Sequence, residues 1–231
     1  MTETRQALIL GGAGDVGEGI VRQFRKRGWA TIVPSRTKER LDQVALSTRG
    51  AGQFLPFIGD IGSEEGSKEA AEEIAARYGR FDIVVAAIGG WWAGPSLLKM
   101  TTDDWYRVLE NSLSSHFHAA RAFLPRVVEN PSGQYVFING GASRMPVPGS
   151  GPISVAAAAQ EMLQRVFAAE CEHLPGTVYT LVLNSLVITR SRPDAPAGSL
   201  TADQVGGHVL ALQETPPKSG ASIIIPDQAG K

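Results

Sequence analysis

An apolar run, Ala7-Leu-Ile-Leu10, leads without a linker into Gly11-Gly-Ala-Gly-Asp-Val-Gly17 and then into a helical pattern over 15–27. A chain can leave a strand and enter a helix in so few residues only where backbone is free to pass close to backbone, which requires glycine. The spacing Gly12-x-Gly14-x-x-Gly17 therefore predicts a tight strand–turn–helix unit. The rest of the chain repeats the alternation. Strand-like runs fall at 7–10, 30–33, 53–58, 82–88, 135–138, 178–183 and 222–225, with helical patterns near 15–27, 37–46, 64–78, 102–128, 152–172 and 201–213. The runs are rich in Val and Ile with little polar alternation, as in strands covered on both faces. Together they predict an α/β fold: a single domain over 1–231 with a Rossmann-type, doubly wound parallel sheet of about seven strands.

Composition narrows the function classes. Lys and Arg number 22 against 23 Asp and Glu, a net charge of −1, which argues against a nucleic-acid partner. Cys171 is the only cysteine, so no internal disulfide can form and a reducing, cytoplasmic setting is expected. The opening Met1-Thr-Glu-Thr-Arg5 is polar, unlike a secretory signal, and no apolar stretch reaches the ~20 residues of a membrane span. His116, His118, His173 and His208 lack metal-ligand spacing, so no metal is expected. Thr101-Thr-Asp-Asp104 has the chemistry of a helix N-cap. Thr189 to Ser199 reads as a surface loop, either over a site or idle.

The glycine turn suits a dinucleotide. Gly12, Gly14 and Gly17, with Asp15 and Val16 between them, would bring free N–H groups and the positive end of a helix dipole to a pyrophosphate. A glycine turn serving packing alone is the other reading. The end of the second strand selects among cofactors. An acidic residue there would bind ribose hydroxyls, but this chain has Pro34-Ser35-Arg36, followed by Lys38 and Arg40. A hydroxyl and a guanidinium suit a 2′-phosphate, so NADP(H) is the expected cofactor, unless the basic residues merely open a solvated helix.

These motifs, in this order, resemble the short-chain dehydrogenase/reductases over nearly the whole chain. Gly59-Asp60-Ile61 looks like the segment that contacts adenine in that family, and Ala86-Ala87-Ile88-Gly89 stands where the family has Asn-Asn-Ala-Gly. Within the family the chain is most similar to the dihydropteridine reductase branch. That likeness rests on Gly11 to Gly17, Val21 to Trp29, Gly89-Gly-Trp-Trp-Ala-Gly94, Ser112-Leu-Ser-Ser-His116 and Ser219-Gly-Ala-Ser222. The resemblance implies a homodimer or homotetramer and a small-molecule substrate.

The family works with Asn, Ser, Tyr and Lys, and none of these carries over. Matching Phe167-Ala-Ala-Glu170 to the family's helix puts Ile153 at the tyrosine and Ala157 at the lysine. Gly140 then falls at the serine, and Ser112 at the asparagine. Reducing a carbonyl leaves an alkoxide that must be protonated, and Ile153 has no proton to give. Losing such an acid costs roughly 10²–10⁴ in rate.

Two functions fit. One is an NADP(H)-dependent oxidoreductase acting by hydride transfer on an activated, iminium- or quinonoid-like small molecule that needs no enzymic acid. The other is a catalytically inactive NADP(H)-binding member with a scaffold or regulatory role. Candidate pocket residues are Trp91 and Trp92, whose indole faces suit flat or cationic ligands or else serve packing. His116 is a replacement acid or a structural histidine, and Ser143 and Arg144 orient an anionic substrate or face solvent.

Overall fold

The computed structural model describes residues 4–196 and 198–226. The strands are β1 (Gln6–Leu10), β2 (Ala30–Ser35), β3 (Phe54–Ile58), β4 (Ile83–Ala86), β5 (Gln134–Gly140), β6 (Thr177–Leu183), β7 (Val187–Ile188), β8 (Leu200–Thr201) and β9 (Ser222–Ile225). The helices are α1 (Asp15–Lys26), α2 (Lys38–Ser47), α3 (Glu64–Tyr78), α4 (Thr102–Leu109), α5 (Ser115–Val128), α6 (Gly151–Glu170) and α7 (Ala202–Glu214). Seven strands form one sheet in the order β3-β2-β1-β4-β5-β6-β9, with every neighbouring pair parallel. The chain runs outward from β1 to β3 and then returns to place β4 on the other side of β1. That reversal opens a crevice at the carboxyl ends of β1 and β4, where ligands of such sheets bind.

Period-two alternation divides the core into two layers. Ala7 and Ile9 face α1, α2 and α7, packing with Ile20, Phe24, Leu41 and Val209. Leu8 and Leu10 face α3, α5 and α6, packing with Ile74, Phe123, Val127 and Ala168. Both faces are covered, which is why the strands read as continuous apolar runs.

The expected helix at 102–128 is interrupted. Thr101 Oγ1 caps α4 by accepting from Asp104 N–H at 3.1 Å, and residues 110–114 then form a π-helical turn before α5. The wider turn lets Ser112 lie against Gly89, where a β-carbon would sit 3.6 Å from Ser112 Oγ. The expected loop at Thr189–Ser199 is pinned at its base, because β7 and β8 pair with Val187 opposite Leu200. No helix among the described residues is long and apolar enough to cross a membrane.

Helices α1 and α7 touch through their backbones. A β-carbon on Gly19 would lie 2.2 Å from the carbonyl carbon of Ala202, and one on Gly206 would lie 2.8 Å from Gly19 O. Arg22 bonds both Glu18 and Asp203 across this crossing, with Arg22 to Glu18 at 2.8 Å. Backbone on both sides cannot give way as a flexible side chain could. Gly19→Ala is therefore expected to lower stability by roughly 1–3 kcal/mol. Urea denaturation would show this as a lower midpoint at unchanged slope; an unchanged midpoint would refute the crossing.

Candidate active site

The glycine turn lies in backbone contact with the end of β4. Gly11 adopts φ +77°, and a β-carbon there would lie 2.2 Å from Ala87 O. One on Gly17 would lie 2.1 Å from Gly11 O, and one on Gly12 would lie 2.9 Å from Ile9 O. These three glycines fold the turn. Gly14 is different: it is exposed, and it caps α1 without any side-chain acceptor. The N–H groups of Asp15 and Val16 consequently have no acceptor among the described residues. They form a patch of unpaired donors at the positive end of the helix.

Parallel pairing brings the ends of β2 and β3 beside this turn. Ser35 ends β2 opposite Ile58, and its carbonyl accepts from Gly59 N–H at 3.0 Å. Arg36 follows, exposed and without an ion-pair partner among the described residues. Asp60 caps the turn into α3: Gly62 N–H donates to Oδ1 and Ser63 N–H to Oδ2, both at 3.1 Å, and Ser63 Oγ donates to Oδ2 at 2.5 Å. Partial burial pushes the Asp60 carboxyl upward, but these hydrogen bonds and the Arg36 charge outweigh it and hold the pKa below the usual carboxylate range. Ile61 beside it packs on the α3–α5 core layer.

At the positions aligned with the family's catalytic residues, Gly89 (φ +95°) lies against Ser112. Gly140 ends β5, and a β-carbon there would meet nothing within 4 Å. Ile153 and Ala157 lie in α6, 9% and 7% exposed, with the Ala157 carbonyl accepting from Asn139 Nδ2 at 2.8 Å. Ser112 brings the only side-chain hydroxyl among these four positions.

The pocket candidates separate. Trp91 is exposed, and the Trp92 ring covers Gly94, in a loop joined to the segment before α6 by Gly94 N–H donating to Gly149 O at 2.8 Å. His116 is 1% exposed, stacks on Phe137 and donates from Nε2 to Ile88 O at 3.2 Å. It supports the strand end from beneath and faces no cleft. Ser143 and Arg144 point neither to substrate space nor to solvent alone. Both bond the buried Glu161 of α6, Ser143 Oγ at 2.5 Å and the Arg144 fork at 3.1 Å through each nitrogen. This clamp was not legible beforehand, because Glu161 lies 17 residues from Arg144 in a different element. The contact of Gly19 with α7 was not legible either, although the run of glycines continues to it.

Comparison with known proteins agrees with the fold. The sequence model of the short chain dehydrogenase family matches residues 5–184. Cis-2,3-dihydrobiphenyl-2,3-diol dehydrogenase of Paraburkholderia xenovorans is 30% identical over 65% of this chain and 54% of its own length. A 3-oxoacyl-acyl-carrier-protein reductase of Thermotoga maritima is 25% identical over 59% of this chain and 56% of its own. The chain thus spans about half the length of these curated relatives. The alcohol dehydrogenase of Thermococcus sibiricus, solved with 5-hydroxy-NADP, superposes with a TM-score of 0.85 at 22% identity, covering 96% of each chain. A family match running from β1 to the end of β6, on a sheet of this order, makes the chain a member of the short-chain dehydrogenase family of oxidoreductases.

Proposed function

We propose that this chain binds NADP(H) and promotes hydride transfer to an activated, iminium- or quinonoid-like small molecule. The observation that carries this is the pairing of two anion-binding features across adjacent strands: the unpaired N–H donors at Asp15 and Val16, and the exposed Arg36 guanidinium at the end of β2. The first suits a diphosphate and the second a 2′-phosphate, which Arg grips in a fork. Gly14 leaves room for backbone to approach the former, and Asp60, kept ionised, holds the neighbouring turn in shape. That the Thermococcus relative was solved with an NADP analogue supports the choice.

Bound there, the nicotinamide would supply a hydride. The surrounding residues would orient the acceptor without protonating it. Ile153 and Ala157 offer no proton or charge. Burial drives the His116 pKa down to about 4, only partly offset by its bond to Ile88 O, so the ring is neutral at pH 7 and its Nε2 proton is committed. Hydride addition to a ketone would leave an uncompensated alkoxide here. Addition to an iminium carbon leaves a neutral amine and needs no proton, so an already cationic acceptor matches this site; a quinonoid ring would leave a delocalised anion that takes its proton from water. Trp91, exposed at the rim, would stack on such a ring, consistent with the likeness to the dihydropteridine reductase branch. The same loss of the acid supports the second reading, a non-catalytic NADP(H)-binding protein. The exposed apolar residues Tyr106, Phe117, Val155, Met162 and Val166 of α4, α5 and α6 support assembly as a homodimer or homotetramer.

Three results test these statements. Arg36→Glu is expected to weaken NADPH by about tenfold or more while sparing NADH, measured by quenching of tryptophan fluorescence; equal effects would exclude the 2′-phosphate contact. His116 has a folded pKa below its unfolded value of ~6.5, so its protonation favours unfolding. Stability should hold above pH ~6.5 and decline toward pH 4, by up to about 3 kcal/mol from this group, and His116→Asn should flatten that decline in denaturation midpoints. Met162→Glu should shift sedimentation from an oligomer to a monomer; an unshifted oligomer would place the interface elsewhere.

A further inference from the structure

The loop between β7 and β8 is tied to the first turn of α1. Ser191 Oγ donates to Asp15 Oδ2, and Arg190 Nη1 lies 3.7 Å from Glu18 Oε2. Reciprocal backbone bonds between Thr189 and Arg192, at 3.2 and 3.1 Å, close the loop tip into a tight turn. Beneath these contacts lies a cavity of about 180 Å³, bounded by Asp15, Gly19, Ile188 and Thr201. The tie thus lands on the helix end that carries the unpaired N–H donors.

Asp15 brings a negative charge to that end. A carboxylate in the first turn of a helix is stabilised by the same positive potential that attracts a phosphate, so the two anions compete for it. Local helix stabilisation accounts for an acidic residue at this place, but not for a hydroxyl brought from 176 residues away to hold it. From these contacts we infer that Asp15 and Ser191 form a latch: the carboxylate, clasped by the loop, competes with the cofactor diphosphate, and binding must part the pair and free the loop. The inference rests on the NADP(H) reading above and makes Asp15 the residue that limits cofactor affinity. A companion consequence is that the bond after Arg190, tethered through Glu18 in the free protein, is released when cofactor binds.

The test compares NADPH titrations of the wild type, Asp15→Asn and Ser191→Ala, with limited trypsin cleavage after Arg190 read by mass spectrometry. Asparagine keeps the size and removes the charge, and Ser191→Ala loosens the clasp without touching the helix. Asp15→Asn should tighten NADPH about tenfold, the effect of removing one unit charge close to a phosphate near water. Ser191→Ala should tighten it in the same direction by a few-fold, and saturating NADPH should hasten cleavage after Arg190 in the wild type. Wild-type binding with no tightening in either variant, or with cleavage after Arg190 unchanged by NADPH, overturns the latch and leaves the cofactor reading standing. If neither the wild type nor the folded variants bind NADPH, both are overturned.

Discussion

Backbone packed directly on backbone is the constraint from which the rest of this molecule follows. Gly11 rests on the Ala87 carbonyl and Gly17 on the Gly11 carbonyl, at separations that leave no volume for even a methyl group. Because β1 can therefore turn into α1 within four residues, the first turn of α1 opens at the carboxyl end of the sheet, beside β4. Its N–H donors then point into the crevice created by the reversal of strand order. Gly19 and Gly206 extend the same kind of contact to α7, so the helix that presents the donors is also anchored from behind. A side chain at any of these positions would push apart elements that share no flexible partner.

Electrostatics distinguish two halves of the crevice. The half proposed for the cofactor is crowded with charge: Arg36 beside an ionised Asp60, and Asp15 and Glu18 met by Ser191, Arg22 and Arg190. The half aligned with the family's catalytic residues is nearly bare. Gly140, Ile153 and Ala157 contribute no polar side chain, and the polar groups that lie nearest are already engaged, Asn139 with the Ala157 carbonyl and His116 with Ile88. Arg144 and Ser143 are drawn off to Glu161, where a bidentate pair and a short hydroxyl bond compensate a buried carboxylate. On the proposed reading, a site so arranged would grip a charged nucleotide and leave protonation to the substrate or to solvent.

Much of the fold was open to inspection in the chain itself. Strand and helix positions came within a few residues, because a strand covered on both faces needs an unbroken apolar run and a helix end needs a capping residue such as Thr101. The break in the 102–128 helix was not visible. Residues 110–114 have nothing in their composition that demands a π turn, and the extra residue is accommodated by the fit of Ser112 against Gly89. Likewise, Thr189–Ser199 looked unstructured because its order comes from distant partners rather than from local propensity.

The amino-acid sequence alone settled the local matters: where strands and helices lie, and which glycines open the turn. Each depends on periodicity or spacing over a few residues, which short-range sterics enforce. Only the tertiary structure decided the partnerships. Ser191 reaches Asp15, Glu161 captures Arg144, and His116 is buried beneath Ile88 because the parallel sheet carries segments 17 to 176 residues apart to one edge. No local pattern encodes a contact whose existence depends on the path of every strand between its two ends.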